Sequence, residues 1–439
     1  MSSILDLQLH PRLQKAIDQL GFTEATDVQS RTIPAAREGK DLMVSAKTGG
    51  GKTAAFLLPM LERFLAEDRP RSSTRGLILL PTRELALQTQ QAFQDMATFT
   101  HLKCGLIIGG EAYKYQVANI RKNPEVLIAT PGRLVEHIEK GNVDFNDLEV
   151  LVLDEADRML DMGFAEDMHT IATRCAPDRQ TLLFSATLKH VGINEVSKQL
   201  KDPIRFEIDS IANGHSNIVQ ERIFADDDKH KANIVEGLIK EDEPKRVIIF
   251  CKTREQTERL SHLLNYKKFK CGYIHGELSQ SLRKQILNQF KDDKLQIIVA
   301  TDVAARGLDI KNVDLVINYT VAHSGDDHVH RIGRTGRSDA NGKAVTLINA
   351  LDFNLMSSIE RYLKIRLTTR KIKGLEGSYS GPKKVKASGK AASTKKRKPS
   401  GDKKTNAKKT ATKKPKEAPS RRDAISTSGD GSAPLRRKK

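Results

Sequence analysis

What most restricts the fold of this chain is a series of short apolar runs, each followed by a loop and an amphipathic stretch. In the first half they are Asp41–Ala46, Gly76–Leu80, Val126–Ala129, Val150–Leu153 and Thr181–Phe184. In the second half they are Arg246–Phe250, Leu295–Ala300, Asp314–Asn318 and Ala344–Ile348. Their apolarity is continuous rather than alternating, which means burial on both faces and hence parallel strands between helix layers. Helical stretches such as Thr53–Leu65 and Arg83–Phe99 lie between them, so the class is α/β. The polar, aperiodic segment 209–217 divides the chain into domains at 1–208 and 218–370. The second domain repeats the strand–helix rhythm of the first.

Charge separates a third region. The chain of 439 residues carries a formal +19, yet residues 371–439 hold 23 Lys+Arg against 5 Asp+Glu, leaving 51 against 50 in residues 1–370. That tail has too few apolar residues to offset chain entropy by burial, and is expected to be disordered and to bind polyanions. Four distant cysteines exclude a disulfide framework or zinc ribbon and fit a reducing cytoplasm. No run of eighteen apolar residues is present, so neither a membrane span nor secretion is expected.

Chemistry first appears at Ala46-Lys47-Thr48-Gly49-Gly50-Gly51-Lys52-Thr53, between a buried strand and an amphipathic helix. Consecutive glycines let backbone amides turn onto phosphates, Lys52 reaches the β- and γ-phosphates, and the Thr53 hydroxyl suits Mg²⁺. The second half has no such loop. Two similar domains therefore share one nucleotide, with ATP in the cleft between them. Asp154-Glu155-Ala156-Asp157 follows an apolar strand directly, at the end where ligands of parallel sheets gather. Asp154 suits Mg²⁺ and Glu155 suits an attacking water. Arg331, Arg334 and Arg337, set around Gly333 and Gly336, suit a γ-phosphate clamp supplied from the second domain.

In combination these segments resemble the DEAD-box ATP-dependent RNA helicases of superfamily 2, over residues 4–370. The matching stretches include Gly21–Gln29, Pro81–Ala86, Gly109-Gly110, Thr130–Arg133, Ser185–Thr187, Gln280 with Arg283, Ala300–Ile310 and His330–Arg337. The resemblance implies two tandem RecA-like domains and an RNA-stimulated ATPase, sequence-nonspecific and monomeric, that opens short RNA duplexes or remodels ribonucleoprotein. It implies that Gln29, with Phe22 and Thr26, holds the adenine, that Gly307 and Asp309 face the sugar, and that Arg334 and Arg337 act on the γ-phosphate. It assigns RNA contacts to Pro81, Thr82, Arg83, Gly110, Thr130, Gly132, Arg133, Arg283 and Thr301, and interdomain coupling to Asp157, Ser185, Thr187 and His330. Ile4 falls where the family usually has an adenine-stacking Phe. Met159–Phe164 and Ser324–Asp326 resemble the SrmB-like ribosome-assembly branch of bacteria, which implies work on ribosomal precursor particles or in RNA decay. Two other readings stay open on the residues: a DNA helicase on the same scaffold, and a non-hydrolysing RNA clamp driven by the tail.

Overall fold

The computed structural model describes residues 2–46, 50–67, 69, 73–188, 190, 192–208, 217–305, 310, 313–336, 342–382, 384, 386 and 391. A two-residue antiparallel pair opens the chain, β1 (Ser2–Ser3) against β2 (Glu24–Ala25). The first lobe is built on β3 (Leu42–Ser45), β4 (Gly76–Leu79), β5 (Cys104–Ile107), β6 (Val126–Ala129), β7 (Val150–Leu153), β8 (Gln180–Ser185) and β9 (Ile204–Glu207). These form one sheet in the order β5-β6-β4-β7-β8-β3-β9, every pair parallel. The second lobe repeats the design with β10 (Ile218–Phe224), β11 (Val247–Cys251), β12 (Cys271–Ile274), β13 (Ile297–Thr301), β14 (Leu315–Asn318), β15 (Gly342–Ile348) and β16 (Thr368–Thr369). Its order is β12-β13-β11-β14-β15-β10-β16, again wholly parallel.

Every residue of β4, β6 and β7 is buried, as are those of β8, β11 and β14. Each sheet separates two apolar layers. In the first lobe Phe56, Phe64 and Phe93 pack on one face, and Leu134, Met159 and Ile171 on the other. This is the double burial that continuous apolar runs require. Strands without such runs lie at or next to the sheet edges. In β9, Ile204, Arg205 and Glu207 are exposed, and β10 is mostly half-exposed.

One expectation is corrected here, and Ile4 is placed. Ile4 does not stand open for stacking: it is 3 % exposed, packed in the core beside the first sheet, and its N–H donates to the Thr23 carbonyl. The ordered second lobe also continues past residue 370. Ile372 is buried and Leu375 packs with it on Gly237, where a Cβ would come within 2.7 Å of Leu375. The Asp226 carboxylate accepts the Ser378 and Tyr379 backbone N–H groups at 2.9 and 2.7 Å, and Tyr379 meets Phe224 edge-on. A charge count overlooks these few apolar anchors, because the lysines around them stay in solvent. Residues 209–216 of the expected linker and 392–439 of the tail lie outside the described residues.

Candidate active site and RNA groove

The strand order sorts the chemistry. Candidate nucleotide residues leave the carboxyl ends of three adjacent strands, β3, β8 and β7. Candidate RNA residues leave β4, β6 and β5 on the other side of the sheet. The two groups meet where β4 pairs with β7, and the Asp154 N–H donates to the Leu79 carbonyl there at 3.0 Å.

Gly51 caps the helix Lys52–Ala66 at φ +89°, a left-handed conformation that glycine adopts without strain. The Lys52 ammonium is buried and donates to the Ala46 carbonyl at 3.2 Å, while Thr53 is half-buried on the same first turn. The Gly51 carbonyl accepts from Gln29 Nε2 at 3.2 Å, and Gln29 Oε1 accepts the Thr26 N–H at 3.0 Å. Thr26 in turn caps the helix Asp27–Arg37, so one buried amide fixes both the helix start and the phosphate loop. Phe22, beside them, is 42 % exposed. Gly50 is described, whereas Lys47, Thr48 and Gly49 lie outside the described residues.

Asp154 is buried and its Oδ1 accepts the Glu155 N–H at 2.9 Å. Burial drives its carboxyl up to about 6; the nearby Lys52 ammonium opposes that rise and the Glu155 charge adds to it. Glu155 sits at φ +54° and its carboxylate takes an ion pair from Arg158 at 2.5 Å, with both side chains almost fully buried. Arg158 was not anticipated from sequence; its i, i+3 spacing on a short helix was the available signal. Burial also raises Asp157, against the Arg158 charge, and its Oδ1 accepts the Arg158 N–H at 3.1 Å. Ser185 Oγ donates to the Thr187 carbonyl at 2.7 Å.

From Thr187 the network crosses to the second lobe. Thr187 approaches the Tyr362 hydroxyl, which donates to Asp326 at 3.1 Å. Gly325 makes room for that ring, because a Cβ there would overlap Tyr362. Burial, reinforced by the charges of Asp157, Asp327 and Asp161 and opposed by the Tyr362 bond, raises Asp326 to about 6. No sequence signal singled out Tyr362. His330 and Arg334 line a recess with Asp302 and Phe250. Of the three arginines expected around the phosphate, Arg331 is instead structural. It forms a bidentate pair with Asp302 at 2.6 and 2.7 Å and donates to the Thr320 carbonyl. Gly307, Asp309 and Arg337 lie outside the described residues.

On the groove side, Pro81, Thr82 and Arg83 begin the helix Arg83–Met96, and a Cβ on Gly110 would overlap the Arg83 guanidinium. Gly110 has φ +81°, so only glycine gives that approach without strain. Thr130 caps the helix Pro131–Glu139, which carries Gly132 and Arg133; Arg133 donates to the Glu111 carbonyl at 3.1 Å. Arg283 faces these from the second lobe, paired to Glu84 at 2.9 Å, and Gln280 donates to the same carboxylate at 3.2 Å. Thr301 ends β13, and Arg283 also donates to the carbonyl of Ala304 just beyond it at 3.0 Å. Glu84 lay within a quoted motif, but its partners lie almost two hundred residues away.

The Lys52–Asp154–Glu155 cluster beyond the carboxyl ends of β3 and β7, which flank β8, with a groove crossed by the Glu84–Arg283 pair, coincides with what known proteins show. The DEAD/DEAH box helicase family model matches residues 26–196, and the helicase conserved C-terminal domain matches residues 228–339. The chain belongs to the DEAD-box ATP-dependent RNA helicases. It is 39 % identical to the RNA helicase SrmB of Haemophilus influenzae, over 87 % of this chain and 88 % of that one. SrmB of Escherichia coli K12 is 38 % identical, over 87 % and 86 % of the two chains. The structure of S. cerevisiae Dbp5 bound to RNA and ADP BeF3 superposes with a TM-score of 0.76 at 27 % identity, covering 85 % of this chain and 96 % of that one. The helicase is thus an RNA-stimulated ATPase, and the non-hydrolysing clamp and the DNA helicase are set aside. None of its described helices is long and apolar enough to cross a membrane.

Proposed function

We propose that the helicase holds ATP between Lys52, Thr53, Gln29 and Asp154 of the first lobe and the Arg334 face of the second. RNA lies along Arg83, Gly110, Thr130, Arg133 and Arg283. The observation that carries this reading is the burial of Lys52, Asp154 and Glu155 beside the glycine-capped helix start, with Thr187 and Tyr362 close together where the lobes meet. Glu155 accepts the proton of the attacking water, and Arg334 meets the charge that develops on the γ-phosphate. A Thr hydroxyl and one carboxylate form a sparse, hard-oxygen donor set. No group of three acidic, His or Cys ligands occurs among the described residues, and such a set fits Mg²⁺ shared with substrate phosphates rather than a protein cage. Thr53 and Asp154 would hold that ion, which neutralises phosphate charge when bound.

Contacts to phosphates and sugars carry little base information, so the helicase acts on RNA duplexes of any sequence. Its four unbridged cysteines support a place in the reducing cytoplasm. Its likeness to two SrmB proteins supports a place in ribosome assembly, on precursor particles. ATPase measured with RNAs of matched length and different sequence tests the first reading; stimulation by one sequence alone would overturn it. Crosslinking in cells followed by sequencing tests the second, and capture without ribosomal precursor RNA would overturn it.

A further inference from the structure

We propose that the outer edge of the first lobe carries a second RNA contact, outside the groove just described, built on Tyr115, Lys103 and Lys122. Strand β5 is the sheet's edge, and a cleft of about 220 Å³ opens along it, lined by Gln90, Lys103, Cys104, Asn119 and Lys122. The helix Tyr113–Ile120 borders this cleft and starts three residues after Gly110. Tyr115 and Asn119 are four residues apart and share one helix face. Lys122 completes the stripe, its ammonium donating to Asn119 Oδ1 at 3.4 Å.

Tyr115 is 64 % exposed, and Lys114 lies 5.2 Å from its ring centroid. Lys103 and Lys122 are exposed, and the nearby Glu125 carboxylate accepts the Lys103 backbone N–H at 2.8 Å. An exposed aromatic ring among lysines is the pairing that single-stranded nucleic acid uses, one base on the ring and its phosphates on the cations. Gln90 and Asn119 add amide groups for a base edge or a sugar hydroxyl. The eight-residue helix spans about 12 Å and begins three residues after Gly110, so the stripe lies next to the Gly110 end of the groove. The proposal rests on the assignment of the groove at Arg83 and Gly110. It extends the footprint to RNA longer than the groove holds, with little base preference.

The test uses the full chain and two single-stranded RNAs, one short enough to fill only the groove and one extending beyond it. The RNA concentration for half-maximal ATPase is measured at several salt levels for wild type, Tyr115→Ala, the Lys103→Ala/Lys122→Ala pair, and Arg83→Ala. The first two variants change exposed side chains and should leave the short RNA and the maximal rate unchanged. With the longer RNA, Tyr115→Ala should raise the half-maximal concentration by about fivefold or more, as losing one base stack does. The lysine pair should flatten the salt slope by about 1.4, at about 0.7 per single-strand phosphate. Wild-type behaviour of both variants on the longer RNA would overturn the proposal, and so would equal weakening on both RNAs. Arg83→Ala should weaken both RNAs; if it weakened neither, the groove assignment would fail independently of the Tyr115 result.

Discussion

Glu155→Gln tests whether one carboxylate serves both the reaction and the resting fold. Its oxygen lies 2.5 Å from Arg158, with the side chains 5 % and 2 % exposed, so neither charge has water to fall back on. Losing a positioned general base should lower RNA-stimulated turnover by about 10²–10⁴, while ATP still binds. The same change leaves the Arg158 guanidinium buried against a neutral amide, which costs about 1–3 kcal/mol. At about 2–4 °C per kcal/mol for a lobe of this size, nucleotide-free Glu155→Gln should melt about 2–12 °C below wild type. Arg158→Met alone should cost more, about 3–5 kcal/mol, because it strands a buried carboxylate. The double variant Glu155→Gln/Arg158→Met should cost less than the two single losses together, since no unpaired charge remains. The assays are steady-state ATPase with saturating RNA and thermal unfolding without nucleotide. A Glu155→Gln protein as stable as wild type would refute the buried pair, and turnover within threefold of wild type would refute the base.

Three further outcomes are expected. Gly51→Ala places a Cβ 2.6 Å from Gln29 Nε2 and Thr26 Oγ1 at φ +89°, so ATP affinity should fall about tenfold or more by equilibrium binding; ordinary affinity would show that the loop relaxes freely. Asp326 is raised to about 6, so its charged form is disfavoured where the lobes meet, and the contribution to closure falls as pH rises from about 4 through 6. Asp326→Asn should therefore strengthen closure above pH 6 and change nothing below about pH 4, read as energy transfer between dyes on the two lobes; an effect confined to low pH would reverse the assignment. Glu84→Ala removes the carboxylate shared by Arg283 and Gln280, so the RNA concentration for half-maximal ATPase should shift severalfold with an unchanged ATP Michaelis constant. A shift in the ATP constant alone would place Glu84 with the nucleotide.

The interior strands were legible because burial on both faces leaves no room for polar residues, and β4, β6, β7, β11 and β14 carry that constraint in four or five consecutive letters. The edge strands were not, because β9 and β12 face solvent or a neighbour on one side only, and Arg205 and Gly272 interrupt any apolar run. The phosphate loop and the Asp154–Asp157 tetrad could be read because their geometry is local, made by residues within one turn of each other. Tyr362 and Arg331 were missed or misplaced for the opposite reason. The roles of the two longer-range residues depend on what folding brings from far along the chain: Thr187 to Tyr362, and Asp302 to Arg331. Sequence alone thus determined which strands are buried and where the glycine-led helix after the first sheet strand begins, since short-range sterics and hydrophobic burial act on neighbouring residues. Only the tertiary structure decided which charges face each other across the lobes, because a Coulomb contact depends on distance in space and leaves no pattern along the chain.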